Sequence, residues 1–130
     1  MAANPVPDGF HTVTAHLWLR DCTAAIEFYK RALGAQELVC KRGPDGKSVM
    51  HALLKIGDSL VMMADEWPDS RERSPATAGG ATTGLWLYVP DADGLFAKVV
   101  AAGAEVMMPM MDAFWGDRFG KVKDPFGHAW

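Results

Sequence analysis

The chain has 130 residues, of which 49% are apolar and 22% are charged, and its formal net charge is −3. This length and composition are typical of one globular domain that can bury its own core. The basic residues are scattered, which indicates that nucleic acid is not a partner, because phosphate contacts need clustered Lys and Arg. No apolar run approaches the roughly 20 residues that cross a bilayer, and residues 1–10 lack the pattern of a signal peptide. We therefore expect a cytoplasmic protein without a membrane partner.

The first half of the sequence predicts four strands and one helix. The predicted strands are residues 13–19, 37–41, 49–56 and 60–64. They are rich in apolar and β-branched residues, and turns that contain glycine separate the last three. The helix follows the first strand, and its apolar face consists of Ala25, Phe28, Tyr29, Ala32 and Leu33. Asp21 or Thr23 can cap the start of this helix, and Gly34 can end it.

Residues 66–83 break this pattern and predict a linker. The segment contains Pro68, Pro75, Gly79 and Gly80, together with a charged run that we interpret as solvated surface. The second half then repeats the order of the first. Its predicted strands are residues 85–89, 105–111 and 118–123, its helix lies between Asp91 and Gly103, and residues 128–130 resemble the start of another strand.

Two local matches indicate an internal repeat. The Leu-Trp-Leu of residues 17–19 recurs at residues 85–87, and the Ala-Leu-Gly-Ala of residues 32–35 is matched by Ala-Ala-Gly-Ala at residues 101–104. We therefore predict a single α+β domain, 1–130, made of two βαβββ modules that form a curved sheet around a cavity, with the helices on the outside of the sheet. The modules are residues 10–65 and 84–130, the linker is residues 66–83, and the last strand of the second module is incomplete in this sequence.

Strand alternation assigns the two tryptophans of the repeat to one type of face. Leu17 and Leu85 belong to an apolar set that faces the helices, so Trp18 and Trp86 belong to the opposite set. That opposite set comprises Thr14, His16, Trp18, Trp86 and Tyr88. Either this set lines a pocket with apolar walls and a few polar groups, or the tryptophans fill the inside of a closed barrel.

Several motifs resemble the vicinal-oxygen-chelate superfamily, the group of glyoxalases, bleomycin-resistance proteins and extradiol dioxygenases. They are Ile26-Glu27-Phe28-Tyr29, Ala32-Leu33-Gly34-Ala35, Gly116-Asp117-Arg118 and Asp124-Pro125-Phe126-Gly127-His128. The last two are similar to the PhnB-like branch especially. The resemblance implies paired βαβββ modules, a U-shaped sheet around a cavity, and a homodimer.

The enzymes of this superfamily hold a divalent metal with His and Glu side chains. Carried onto this sequence, their ligand positions fall on Thr14, near Met62, on Gly84 and just past Trp130. None of the three visible residues is a good ligand for a hard or borderline cation, so we predict no metal and no cofactor. His16 and His51 could replace the missing ligands only if a carboxylate joined them.

The resemblance favours a binding protein over an enzyme. Members without metal ligands include resistance proteins that grip flat antibiotics between aromatic side chains, and here Trp18 and Trp86 would be the stacking pair. The alternative is a metal-dependent glyoxalase-like lyase, isomerase or dioxygenase whose ligands have moved. We predict a ligand site for an aromatic small molecule at Thr14, His16, Trp18, His51, Met62, Trp86, Tyr88, Met110 and Trp115, with no catalytic residue.

Two cysteines, Cys22 and Cys40, do not form a C-x-x-C pair, and we expect free thiols. Cys22 lies near a helix start, which can lower the pKa of a thiol. We nevertheless interpret it as an inert residue at the start of the helix.

Overall fold

The structure is a computed structural model that describes residues 4–130. The elements are β1 (Ala15–Leu19), α1 (Cys22–Leu33), β2 (Gln36–Arg42), β3 (Val49–Ile56), β4 (Ser59–Asp65), α2 (Pro75–Ala78), α3 (Ala92–Ala101), β5 (Glu105–Asp112) and β6 (Arg118–Lys123). The architecture is α+β with curved, open sheets, as predicted. Within residues 4–130, no helix has the length and apolar character needed to cross a membrane.

Helix α1 begins and ends where its capping residues stand. Of the two alternatives for its start, Asp21 is the cap, since its carboxylate accepts a hydrogen bond from Ala24 N at 3.1 Å. Gly34 closes the helix with a φ of 65°, a left-handed conformation that glycine adopts without strain. The predicted apolar face of α1 is buried apart from Leu33, which is half-buried.

The first half forms one four-stranded sheet in the order β1-β4-β3-β2. Strands β1 and β4 are parallel, whereas the other two pairs are antiparallel. Leu17, Leu19 and Met63 are buried on the side of the sheet that α1 covers, while His16 and Trp18 stay open on the other side. The predicted face assignment of β1 is therefore confirmed.

The second half departs from prediction at residues 85–89, which form no strand. Their neighbour is Ala129, and Gly84 makes an isolated parallel bridge to it. Leu85 N donates to Ala129 O at 2.9 Å, and this is the only backbone hydrogen bond of residues 85–89 within the described chain. A strand needs a ladder of such bonds with a neighbouring strand. The alternation of residue types along 85–89 predicts a strand but does not provide that neighbour.

The segment predicted as a linker also contains structure. Helix α2 is one turn long and is capped by Ser74, whose Oγ accepts from Thr77 N at 3.3 Å. Glu66, which follows β4, accepts from Ser74 N at 2.7 Å. Arg20, which follows β1, donates to Thr77 Oγ1 at 2.9 Å. These two hydrogen bonds hold the turn against the ends of β4 and β1. Proline at the first helical position suits such a turn, which sequence periodicity cannot detect in four residues.

A shared core joins the two halves. Helices α1 and α3 contact each other, and the rings of Phe126 and Trp130 pack against Tyr29 of α1 at centroid distances of 6.2 and 5.5 Å. Beneath them, the buried Asp124 accepts from Tyr29 Oη at 2.5 Å and from Trp130 Nε1 at 2.8 Å. The helix-bearing sides of both halves therefore face inwards, and their helix-free sides face outwards.

Candidate ligand-binding site

The second half carries a cluster of aromatic rings on its helix-free side. Trp86 stacks on Phe119 with a centroid distance of 5.1 Å and an interplanar angle of 26°. Trp115 stands at a steep angle to both, 5.4 Å from Phe119 and 6.3 Å from Trp86, and Phe114 meets its edge. We call Trp86, Trp115 and Phe119 the aromatic cluster.

The aromatic cluster is open to solvent and yet held in place. Trp86 is 57% exposed and Trp115 is 45% exposed. Trp115 Nε1 donates to Asp117 Oδ2 at 2.8 Å, which fixes the orientation of its indole ring. Exposed aromatic groups gathered in one patch are typical of a binding surface rather than of a core.

A cavity of about 810 Å³ adjoins the cluster. Trp86, Tyr88 and Phe119 line it, together with Met108 and Lys121 from the same side of strands β5 and β6. Its volume falls within the range of small-molecule sites. Its walls are mostly apolar with a few polar groups, which is also typical of such sites.

The first half presents a second face of similar character. The rings of His16 and Trp18 lie 4.4 Å apart at an angle of 35°. His16 lies beside Met62 in the register of β1 and β4, and Met62 lies beside Leu53 of β3. Alternation along β3 places His51 on this face with Leu53. We call His16, Trp18, His51 and Met62 the histidine face.

The electrostatic surroundings of His16 disfavour its charged form. Burial lowers the pKa of His16, the nearby His51 lowers it further, and the carboxylate of Glu72 opposes both. At neutral pH the imidazole of His16 is therefore neutral and can both donate and accept a hydrogen bond.

The two faces do not meet within one chain. None of the predicted residues of the first half lines the 810 Å³ cavity: Thr14, His16, Trp18, His51 and Met62. This separation follows from the shared core, because the halves bury their helix-bearing sides against each other. Met110 does line this cavity, but from the helix-bearing side, where it lies with Phe96 over Gly120.

One residue of the aromatic cluster, Phe119, is absent from the predicted site. Its position was accessible from sequence, because alternation along β6 places Phe119 and Lys121 together, opposite the buried Val122. The register then brings Phe119 beside Met111 of β5. The internal repeat contains tryptophan at matched positions in both halves, whereas Phe119 lies outside the matched segments.

The residues present do not fit the metal centre that the superfamily resemblance implies. Thr14, Met62 and Gly84 occupy the visible ligand positions, and none offers an imidazole or a carboxylate. In the described part of the chain, no three His, Cys, Asp or Glu side chains stand close enough to hold an ion. His128 has a structural role instead, since its Nε2 bonds to Trp18 O at 3.0 Å.

The thiol of Cys22 is buried and is not a nucleophile. Burial raises its pKa to about 12, and the carboxylate of Asp65 adds to that shift. The helix start therefore does not activate this cysteine, in agreement with the inert reading of the sequence.

Comparison with known proteins places the chain in a family. The sequence profile of the glyoxalase/bleomycin resistance protein/dioxygenase superfamily matches residues 9–130. The uncharacterized protein Mb0911c of Mycobacterium bovis is 40% identical over 133 residues, which cover 100% of this chain and 84% of that protein.

The chain is also similar to solved protein structures. TioX from Micromonospora sp. ML1 is 30% identical with a TM-score of 0.70, over 92% of each chain. The PhnB protein of Bacillus cereus has the same fold, with a TM-score of 0.71, 18% identity, and coverage of 92% of this chain and 96% of that one. The chain therefore belongs to the glyoxalase/bleomycin resistance protein/dioxygenase superfamily.

Proposed function

We propose that this protein binds a flat aromatic small molecule without a metal and releases it chemically unchanged. Sequestration of an aromatic antibiotic, and thus drug resistance by binding, is the form of this activity that we favour. One observation carries the proposal: the aromatic cluster exposes a stacked pair, Trp86 and Phe119, beside a cavity large enough for such a ligand.

Stacking supplies the expected affinity. An offset aromatic pair contributes about 0.5–1.5 kcal/mol beyond the area that it buries. Because Trp115 is fixed by Asp117 and Trp86 rests on Phe119, little side-chain freedom is lost when a planar ligand binds. Tyr88 adds a hydroxyl at the cavity wall that can fix the orientation of the ligand.

We further propose that the complete site is formed by a homodimer. The histidine face and the aromatic cluster point outwards from one chain, so a ligand between Trp18 and Trp86 requires two copies. In that arrangement the histidine face of one copy lies opposite the aromatic cluster of its partner. Such an isologous pair forms two equivalent sites.

Isothermal titration calorimetry with 2-naphthamide, a neutral planar probe, tests the proposal. Trp86→Ala and Trp18→Ala should each weaken binding by about 1–3 kcal/mol, as for an interface anchor. Mass spectrometry should recover the probe unchanged. Trp67→Ala is the matched control, because Trp67 is exposed and stacks on none of these rings. Variants that bind the probe as tightly as the wild type would refute the stacking site.

The stability of Trp86→Ala tests whether this tryptophan has a purely structural role. If Trp86 filled a core, its removal would lower the free energy of unfolding by about 3–5 kcal/mol. We expect a change below about 1 kcal/mol, since the ring is mostly exposed. Urea unfolding of Trp86→Ala and of the wild type measures this difference.

A further inference from the structure

The acidic side chains of the first sheet all point to the side that carries helix α1. Strands β1–β4 contain two carboxylates, Glu37 and Asp65. Glu37 forms an ion pair with Lys30 of α1 at 3.6 Å. Asp65 accepts backbone hydrogen bonds from Cys22 N at 2.7 Å and Val49 N at 2.8 Å. The strands therefore contribute no carboxylate to the histidine face.

Lysines occupy that face instead. Lys41 lies beside His51 in the register of β2 and β3. Lys55 lies two residues after Leu53 on β3 and therefore on the same face of the sheet. Within residues 4–130, no carboxylate oxygen comes within 4 Å of either amino group. A basic surface in a chain whose net charge is −3 is a local feature and does not follow from the overall composition.

The aromatic cluster has a lysine of the same kind. Lys121 shares the side of β6 that carries Phe119, lies beside Met108 of β5, and lines the 810 Å³ cavity. It is half-buried, and it too has no carboxylate within 4 Å in the described chain. A half-buried ammonium without a partner is poised to receive an anion.

Three acids also line this cavity, and each has a partner within residues 4–130. Asp93 binds Arg118 at 3.1 Å, Asp117 accepts from Trp115, and Asp91 accepts from Gly94 N at 3.0 Å. On the histidine face, the negative charge of Glu72, in the segment that follows β4, partly offsets the lowering of the pKa of His16 by burial. Glu72 also accepts a hydrogen bond from the hydroxyl of Ser70. Glu72 is thus an acid that an anion at the histidine face would meet.

We infer that the ligand is a planar aromatic anion, a ring system bearing a carboxylate, sulfonate or phosphate group. The aromatic cluster stacks on the rings, and Lys41, Lys55 and Lys121 attract the acidic group. This inference rests on the proposed function and adds to it the charge of the ligand. Lysine suits the task, since its ammonium is a mobile point charge on a flexible stem.

Three naphthalene probes of similar size test the inference by calorimetry: 2-naphthoate, 2-naphthamide and 2-naphthylmethylammonium. We expect the anion to bind about tenfold more tightly than the amide at low salt, and the cation to bind most weakly. High salt should reduce this preference, because exposed charges are screened. Lys41→Gln, Lys55→Gln and Lys121→Gln should each lower naphthoate affinity about two- to fivefold, and the loss of naphthamide affinity in the same variants should be smaller.

Lys98→Gln is the matched control, because Lys98 is exposed on α3 and belongs to neither face. An equal loss in this variant would show that net charge, not the site, sets the preference, and would overturn the inference. Equal binding of naphthoate and naphthamide that still depends on Trp86 would overturn the inference alone. No binding of any probe would end both the inference and the proposed stacking site.

Discussion

At the scale of single residues, the buried Asp124 accepts hydrogen bonds from four different groups. It is 2% exposed, and it accepts from Tyr29 Oη, from Trp130 Nε1 and from the backbone N–H groups of Phe126 and His128. Burial and this carboxylate raise the pKa of Tyr29, so the phenol stays protonated and donates. One carboxylate thereby fixes the last turn of the chain to helix α1.

Asp124→Asn should lower the free energy of unfolding by about 2–4 kcal/mol. The amide keeps one acceptor, but its NH₂ group then faces donors that were paired with the carboxylate. Tyr29→Phe removes one bond and should cost about 1–2 kcal/mol. Urea unfolding followed by circular dichroism measures both variants. A stability of Asp124→Asn equal to that of the wild type would show that the network does not hold the turn.

His16 should make stability depend on pH. Because its pKa is lowered in the folded state by burial and by His51, the unfolded chain binds the proton more strongly. Stability is then lost as the pH falls below about 6.5, the ordinary value for histidine. Melting temperatures at pH 7.5 and pH 5 should differ less in His16→Gln than in the wild type. His11→Gln, which alters an exposed histidine, should keep the wild-type difference.

At the scale of elements, Asp65 ends strand β4 and holds two other elements in place. Its two oxygens accept from the first residue of α1 and the first residue of β3. Asp65→Ala should therefore destabilise the protein by about 2–3 kcal/mol, since two backbone donors lose a charged acceptor. Asp58→Ala, in the exposed turn before β4, is the control and should change stability by less than about 0.5 kcal/mol. Thermal unfolding of both variants decides this.

Most elements could be predicted because their signals are local. The helical face of α1, the cap at Asp21 and the alternation in β1 all arise within a few residues, and each appears where expected. Residues 85–89 carry the same alternation as β1, but pairing depends on a neighbour far along the chain, which local pattern cannot supply. The separation of Trp18 from Trp86 depends in turn on how the two halves pack, which the repeat left undetermined.

At the scale of the whole molecule, the proposed shared site predicts complementation between variants. Trp18→Ala and Trp86→Ala each damage both sites of a homodimer. A mixed dimer, however, contains one site with both tryptophans and one with neither. Unfolding and refolding an equal mixture should therefore restore tight naphthamide binding at about one quarter of the sites, because random pairing makes half of the dimers mixed.

Calorimetric stoichiometry measures the restored fraction. The control is each variant refolded alone, which should restore nothing. Sedimentation velocity should show dimers in all three samples. If the mixture binds no better than the separate variants, the two tryptophans belong to one chain's site, and the dimer arrangement is wrong.

The outward orientation of both helix-free faces has a consequence for evolution. The core rests on Tyr29, Asp124 and the helices, whereas Trp86, Tyr88 and Trp115 contribute little to it because they are exposed. Residues on these faces can be exchanged without unfolding the chain, so mutation can explore new ligands while abundance is preserved. Because the buried residues maintain the fold and the exposed rings contact the proposed ligand, ligand specificity can change in evolution without loss of stability.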